Sequence, residues 1–208
     1  MYNLTEEEEK ILRKLDTPKK IQDFLDKLEI NFEEGGDTCM SPRRVLKSGK
    51  CHCIEGAMLA ALALKLQGKK PWVMDFTVAK NDWDHVVAVF KEHGKFGAIS
   101  KTNHSVLRYR DPVYNSAREL AMSFFHEYFT DDGKKTLRSY SMPVDLIKQF
   151  GCEWITKEDD AWEIPEYLVD CKHFDVIDRK QIASLRKADK IVVDASNLTE
   201  WKKSEVKN

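Results

Sequence analysis

Hydrophobic and polar positions follow two different periods along this chain. In the first thirty residues the apolar side chains recur at helical spacing. Thr5 followed by Glu8 is a capping-box pattern, and it predicts a helix from about Glu6 to Leu15. Thr17-Pro18 predicts a second helix start, with Ile21, Phe24, Leu25 and Leu28 on one face. The stretch EEGGDTCMSP carries the breakers Gly35, Gly36 and Pro42 and predicts a loop, with a short helical turn from Pro42 to Leu46 behind it. Residues 49–66, GKCHCIEGAMLAALALKL, then predict a helix of about 14 residues that starts beside Cys53 and stops at Gly68.

The period then shortens. PWVMDFTVA is rich in β-formers, DHVVAVF follows the turn residues Asn81 and Asp82, and EHGKFGAIS supplies a Gly-centred turn and a third apolar run. SARELAMSFFHEYF predicts an amphipathic helix ended by Asp131, Asp132 and Gly133, with Leu120, Phe124, Phe125 and Tyr128 forming its core stripe. TLRSY and KIVVDA predict strands, and PVDLIKQF and RKQIASLRKA short helical segments. Helices first, then neighbouring strands joined by hairpin-length turns, predict an α+β fold with an antiparallel sheet. A length of 208 residues suits one domain, with a core at about 40–105, N-terminal helices at 5–30 and a C-terminal α/β extension at 106–208.

Charge narrows the partners. The 34 basic and 35 acidic side chains nearly cancel, so there is no surplus for a nucleic-acid backbone. The longest apolar stretch, Ala57 to Leu64, is too short to span a bilayer, so no membrane association is expected. MYNLTEEEEK lacks the basic start and apolar run of a signal peptide, which leads to an expectation of a cytoplasmic protein. Five cysteines at irregular spacing then point to reduced thiols. WKKSEVKN is expected to be a solvated, frayed end.

Cys53 is where candidate chemistry begins. A helix N-terminus carries unpaired N–H groups and a positive partial charge, so a thiol there ionises more readily, and the thiolate is the reactive form. Cys51 is expected further out, in the loop. His85 opens the strand HVVAVF and can bring an imidazole to the helix start. The ordinary alternatives are a packed cysteine and a hydrogen-bonded structural histidine. The joint arrangement of Gly-x-Cys-x-Cys at a helix start, a following hairpin and a strand led by His favours a nucleophile and its base.

The order RVLKSGKCHCIEGAMLAALALKLQGKKPWVMDF, then WDHVVAVF, then GKFGAISKT resembles the core of the transglutaminase-like superfamily of cysteine enzymes, over roughly residues 40 to 105. That resemblance implies a papain-like core with the nucleophile at a helix start packed on an antiparallel sheet. It implies Cys53 as nucleophile, since Cys53-x-Glu55-x-Ala57 keeps the acidic and small residues that follow it, and His85 as general base. The third member of the family's triad is an acid on the next strand, and here Ser100 stands at that position, followed by Lys101 and Thr102. Asn103, three residues on, is the other candidate to hold the imidazole. Asp82 and Asp84 flank His85, but neighbours on a strand point to opposite faces.

The implied reaction is acyl transfer through a thioester, by hydrolysis or by transfer to an amine, on a peptide or small amide substrate, with the Cys53 N–H helping to hold the oxyanion. No cofactor or metal is implied, and no calcium-binding loop pattern is present. Two alternatives stand beside it. Loss of the acid at Ser100 suits an inactive binding module of the same fold. Cys39, Cys51, His52 and Cys53, with His93 and His104 not far off, suggest a zinc site, although Cys51-x-Cys53 lacks the usual two-residue gap. Four further features have plainer readings. Arg108, Tyr109 and Arg110 are either a substrate rim or solvated charges before an Asp111-Pro112 turn. Trp72 and Trp83 bracket the strand before His85, where they either wall a cleft or bury area elsewhere. Glu55 lines the site or complements the helix dipole. Cys152 and Cys171 are read as packing residues.

Overall fold

A computed structural model describes residues 2–203. Each N-terminal helix opens on the cap its sequence encodes. The Thr5 and Glu8 side chains bond each other's backbone N–H at 3.2 and 2.7 Å to start α1, Glu6–Lys14. Thr17 accepts from Lys20 N–H to start α2, Pro18–Lys27. The two-residue strand β1, Glu29–Ile30, pairs in parallel with β2, Lys50–Cys51. Between them lies α3, Pro42–Ser48, closed by Gly49 at φ 71°. The expected turn at Pro42 thus runs two residues further.

α4, Cys53–Leu66, is the helix expected after GKCHC, and every residue from Ile54 to Leu64 is buried. A helix apolar on all sides lies inside a fold rather than on its surface. Gly56 is required there, because a Cβ would sit 2.8 Å from Lys101 Cβ and 3.5 Å from Cys51 Sγ.

α4 packs against a sheet whose strands run, side by side, β6 (Arg110–Tyr114), β5 (Lys95–Ile99), β4 (His85–Glu92), β3 (Trp72–Val78), β7 (Leu137–Ser141) and β9 (His173–Asp175), with β8 (Val144–Asp145) paired to β3. Its centre is the hairpin series anticipated from the sequence: β3 (Trp72–Val78), β4 (His85–Glu92) and β5 (Lys95–Ile99), all antiparallel. His93 and Gly94, both at positive φ (50° and 76°), make the tight β4–β5 turn. Alternate residues of β4 face opposite layers. Val86, Ala88 and Phe90 join the core around α4, while Val87 and Val89 join a second core beneath α5. Burial on both faces explains why HVVAVF reads as a continuous apolar run rather than an alternating one.

The C-terminal half extends the sheet. β6 (Arg110–Tyr114) is an edge strand, so Asp111-Pro112 lies in a strand and not in the expected turn; an edge accommodates the missing proline N–H. α5 (Ala117–Phe124) ends earlier than its apolar stripe suggests. A 3-10 turn at Phe125–Glu127 follows, and Tyr128 is extended. All four stripe residues are buried as expected. β7 (Leu137–Ser141), β8 (Val144–Asp145), α6 (Leu146–Phe150), a 3-10 turn (Glu153–Ile155), α7 (Glu163–Asp170), β9 (His173–Asp175) and α8 (Arg179–Ser184) follow.

KIVVDA, expected as a strand, is helix α9, Lys190–Ser196. Only Val193 of this segment is buried, and Lys190 pairs with Asp194 one turn on, so the segment offers one apolar point rather than a pleated face. The expected frayed end is docked at Trp201, whose backbone exchanges two hydrogen bonds with the Asn103 side chain; residues 204–208 of WKKSEVKN lie outside the described residues. Among the described residues, no helix is long and apolar enough to cross a membrane.

Candidate active site

Cys53 is the first residue of α4, and His52 caps it from an extended conformation (φ −100°, ψ −171°). What fixes this junction is Glu55. Its fully buried carboxylate accepts from His52 N–H (3.0 Å), Met40 N–H (2.8 Å), Thr38 Oγ1 (2.8 Å) and Asn31 Nδ2 (3.1 Å). Glu55 is therefore the pin that ties the loop before α3 to the start of α4. It is neither a cleft-lining acid nor a plain dipole partner, the two roles expected for it.

Two imidazoles reach the half-buried Cys53. Burial works against a thiolate, but hydrogen bonds from His52 and then His85, with their charges, hold the Cys53 thiol well below the usual range. His52 donates through Nε2 to the Thr38 carbonyl at 2.9 Å and lies 3.4 Å from Glu55 Oε1. That anchor leaves Nδ1 as its ring nitrogen for the sulfur. Burial opposes its charge as well, yet the bond to Cys53, the Cys53 charge and Glu55 push His52 up to about 9.

His85, buried at the head of β4, bonds Ser100 Oγ through Nε2 at 2.8 Å. Ser100 Oγ also bonds the Leu107 carbonyl at 2.5 Å. A carbonyl only accepts, so the serine proton goes to Leu107 and the serine lone pair faces the imidazole. Ser100 then accepts from His85 Nε2–H, and Nδ1 is the nitrogen left for the sulfur. Leu107 holds its carbonyl there from a left-handed backbone conformation (φ 61°). Its own N–H donates to Glu127 at 2.6 Å, and Arg110 grips the same carboxylate at 2.6 Å.

Cys53, His85 and Ser100 thus come together, and Asn103 does not join them. The Asn103 amide is spent on Trp201: Nδ2 donates to the Trp201 carbonyl at 3.0 Å and Oδ1 accepts from its N–H at 2.9 Å. Cys51, expected in the loop, is wholly buried in β2, and burial pushes its thiol up to about 12. Cys39 is likewise buried and pushed up. Among the described residues, no three His, Cys, Asp or Glu side chains converge as metal ligands do. Arg108 pairs with Glu200 at 3.0 Å, Tyr109 stacks on Phe90, and Arg110 lies over Phe124.

A cleft of about 800 Å³ opens over Cys53 and His85. Residues Asn81 to Asp84 form one wall, with Trp83 89% exposed, and Tyr128 to Asp132 form another; Ser196 and Asn197 of the docked C-terminal segment close a third side. Leu107, Glu127, the place of Tyr128 in the cleft and the anchoring role of His52 went unread in the sequence. His52 had a signal, adjacency to Cys53, whereas the others depend on long-range packing with no motif. No family model matches the chain, and no curated protein matches it in sequence.

Proposed function

We propose that the chain is a transglutaminase-like cysteine enzyme that transfers acyl groups from amides or esters through Cys53. One observation carries this reading: a thiol at a helix start shares a cleft with His85, whose Nε2 is held by a serine with its proton committed elsewhere, and the two histidines lower that thiol. The Cys53 thiolate attacks the carbonyl carbon, and the C=O pair moves onto oxygen. As the oxyanion collapses, the C–N or C–O bond breaks, and the His85 imidazolium gives its proton to the leaving group. Water or an amine then attacks the thioester, His85 takes the proton, and the thiolate leaves.

The two histidines divide the work. A group that keeps its proton to about pH 9 shuttles poorly at neutrality, so His52 is the standing counter-charge of the thiolate and His85 the proton carrier. Ser100 orients His85 without the charge an acid supplies, which implies slower turnover than an Asp would give.

Selective alkylation of Cys53 by iodoacetamide at pH 7, located by peptide mass spectrometry, tests the reading. The expected result is modification of Cys53 well ahead of the other four cysteines, together with release of p-nitrophenol from p-nitrophenyl acetate. A Cys53 no faster than a free thiol, with no release, would leave the inactive binding module, the reading that the missing acid at Ser100 favours.

A further inference from the structure

Three buried side-chain polar atoms lack a hydrogen-bond partner among the described residues: Gln67 Oε1, Trp201 Nε1 and the Tyr128 hydroxyl. Only Tyr128 of these lines the cleft that holds Cys53 and His85. The residue is 2% exposed. Its ring is wedged edge-on against Phe76 with centroids 6.3 Å apart, and its carbonyl accepts from Thr136 N–H at 3.1 Å. Buried hydroxyls almost always find a partner, and an orphan at a reaction centre points to a group that arrives with substrate. Cys53 lines the same cleft and offers a second donor there, because the first N–H of a helix has no intrahelical acceptor.

Building on the acyl-transfer reading, we infer that Tyr128 is a catalytic residue whose hydroxyl, with the Cys53 backbone N–H, donates to the substrate carbonyl oxygen as it becomes an oxyanion. Donors aimed at the place where charge develops stabilise the transition state more than the ground state. The hydroxyl stays protonated to do this. Burial first, then the Cys53, Asp75, Asp82 and Asp84 charges, raise it well above its ordinary range. No proton is transferred in this role; the tyrosine donates a hydrogen bond and keeps its hydrogen.

Tyr128→Phe separates this role from its rivals when two reactions of Cys53 are compared. Acylation by p-nitrophenyl acetate passes through an oxyanion, and alkylation by iodoacetamide does not. The variant is expected to acylate about 10- to 100-fold more slowly while alkylation stays within about twofold of wild type. Its melting temperature should equal or exceed that of wild type, since no hydrogen bond is lost. Acetaldehyde, whose hemithioacetal carries the same oxygen, should bind the variant about tenfold more weakly. Unchanged acylation overturns the inference. So does an equal fall in both reactions, which would mark a bond to the thiolate. A variant that does not fold overturns it too, by showing that the hydroxyl is structural. Wild-type protein that shows no Cys53-dependent acylation overturns the acyl-transfer reading itself.

Discussion

Cys51 and Cys53 are two residues apart and chemically opposite. Cys51 lies in β2, wholly buried beside Gly56, and its thiol is pushed up to about 12. Cys53 also suffers desolvation, but two imidazoles reach it and pull its thiol well below the usual range. The Lys101 charge favours a Cys51 thiolate, but that ammonium is spent on the carbonyls of Leu25 and Leu28. Burial alone makes a thiol inert, whereas burial with committed cationic hydrogen-bond donors makes it a nucleophile.

Exchanging the two thiols tests this contrast most severely. Cys53→Ala is expected to lower p-nitrophenyl acetate turnover by at least about a thousandfold, and Cys51→Ala to leave it within about twofold while lowering stability by about 1 kcal/mol through the cavity. Removing the imidazoles one at a time comes next. His85→Ala should lower acylation by about 100- to 1,000-fold. His52→Ala should lower it less but also raise the thiol pKa, read from thiolate absorbance at 240 nm, because His52 helps hold the thiolate without carrying the proton. Ser100→Ala leaves His85 Nε2–H unpaired and should slow acylation about 10-fold. Asn103→Ala removes both side-chain bonds to Trp201 and should change acylation by less than about twofold, read in the same assay. A large loss there would place Asn103 in the site after all.

The sequence made the helix start and the hairpin strands readable because their signals are local. The Thr5–Glu8 capping box, the β-rich runs and the apolar stretch from Ile54 each carry their own period; Cys53 and His85 follow from those elements, and Ser100 only from the family resemblance. What stayed hidden is non-local. Glu55 reads as a dipole partner until the loop from Asn31 to Met40 folds onto it. Asn103 reads as a neutral stand-in for the missing acid until Trp201 arrives from far along the chain. KIVVDA reads as a strand because three β-branched residues mimic one, and only its one-sided burial selects a helix. Tyr128 reads as one more core aromatic, and its ring is that; the hydroxyl's isolation appears only when the cleft is assembled.

The smallest expected effect concerns pH and stability. A raised His52 stabilises the fold fully below its ordinary value of 6.5, and that contribution is lost as pH rises through about 9. A lowered Cys53 does the reverse: its contribution is present above its ordinary 9.0 and lost as pH falls through the depressed value. Folded thiolate–imidazolium and unfolded thiol–imidazole hold the same one proton. The pair's contribution to stability should therefore stay flat between about pH 6.5 and 9, measured as the urea midpoint of wild type against the Cys53→Ala, His52→Ala double variant.

The rate of iodoacetamide alkylation at Cys53, followed from pH 4 to 10, bears most directly on the central claim that neighbouring imidazoles keep this sulfur ionised. The rate should already be at its plateau by neutral pH, with the inflection moving upward in His52→Ala and in His85→Ala. A single inflection near the ordinary thiol value, unmoved by either substitution, would contradict it.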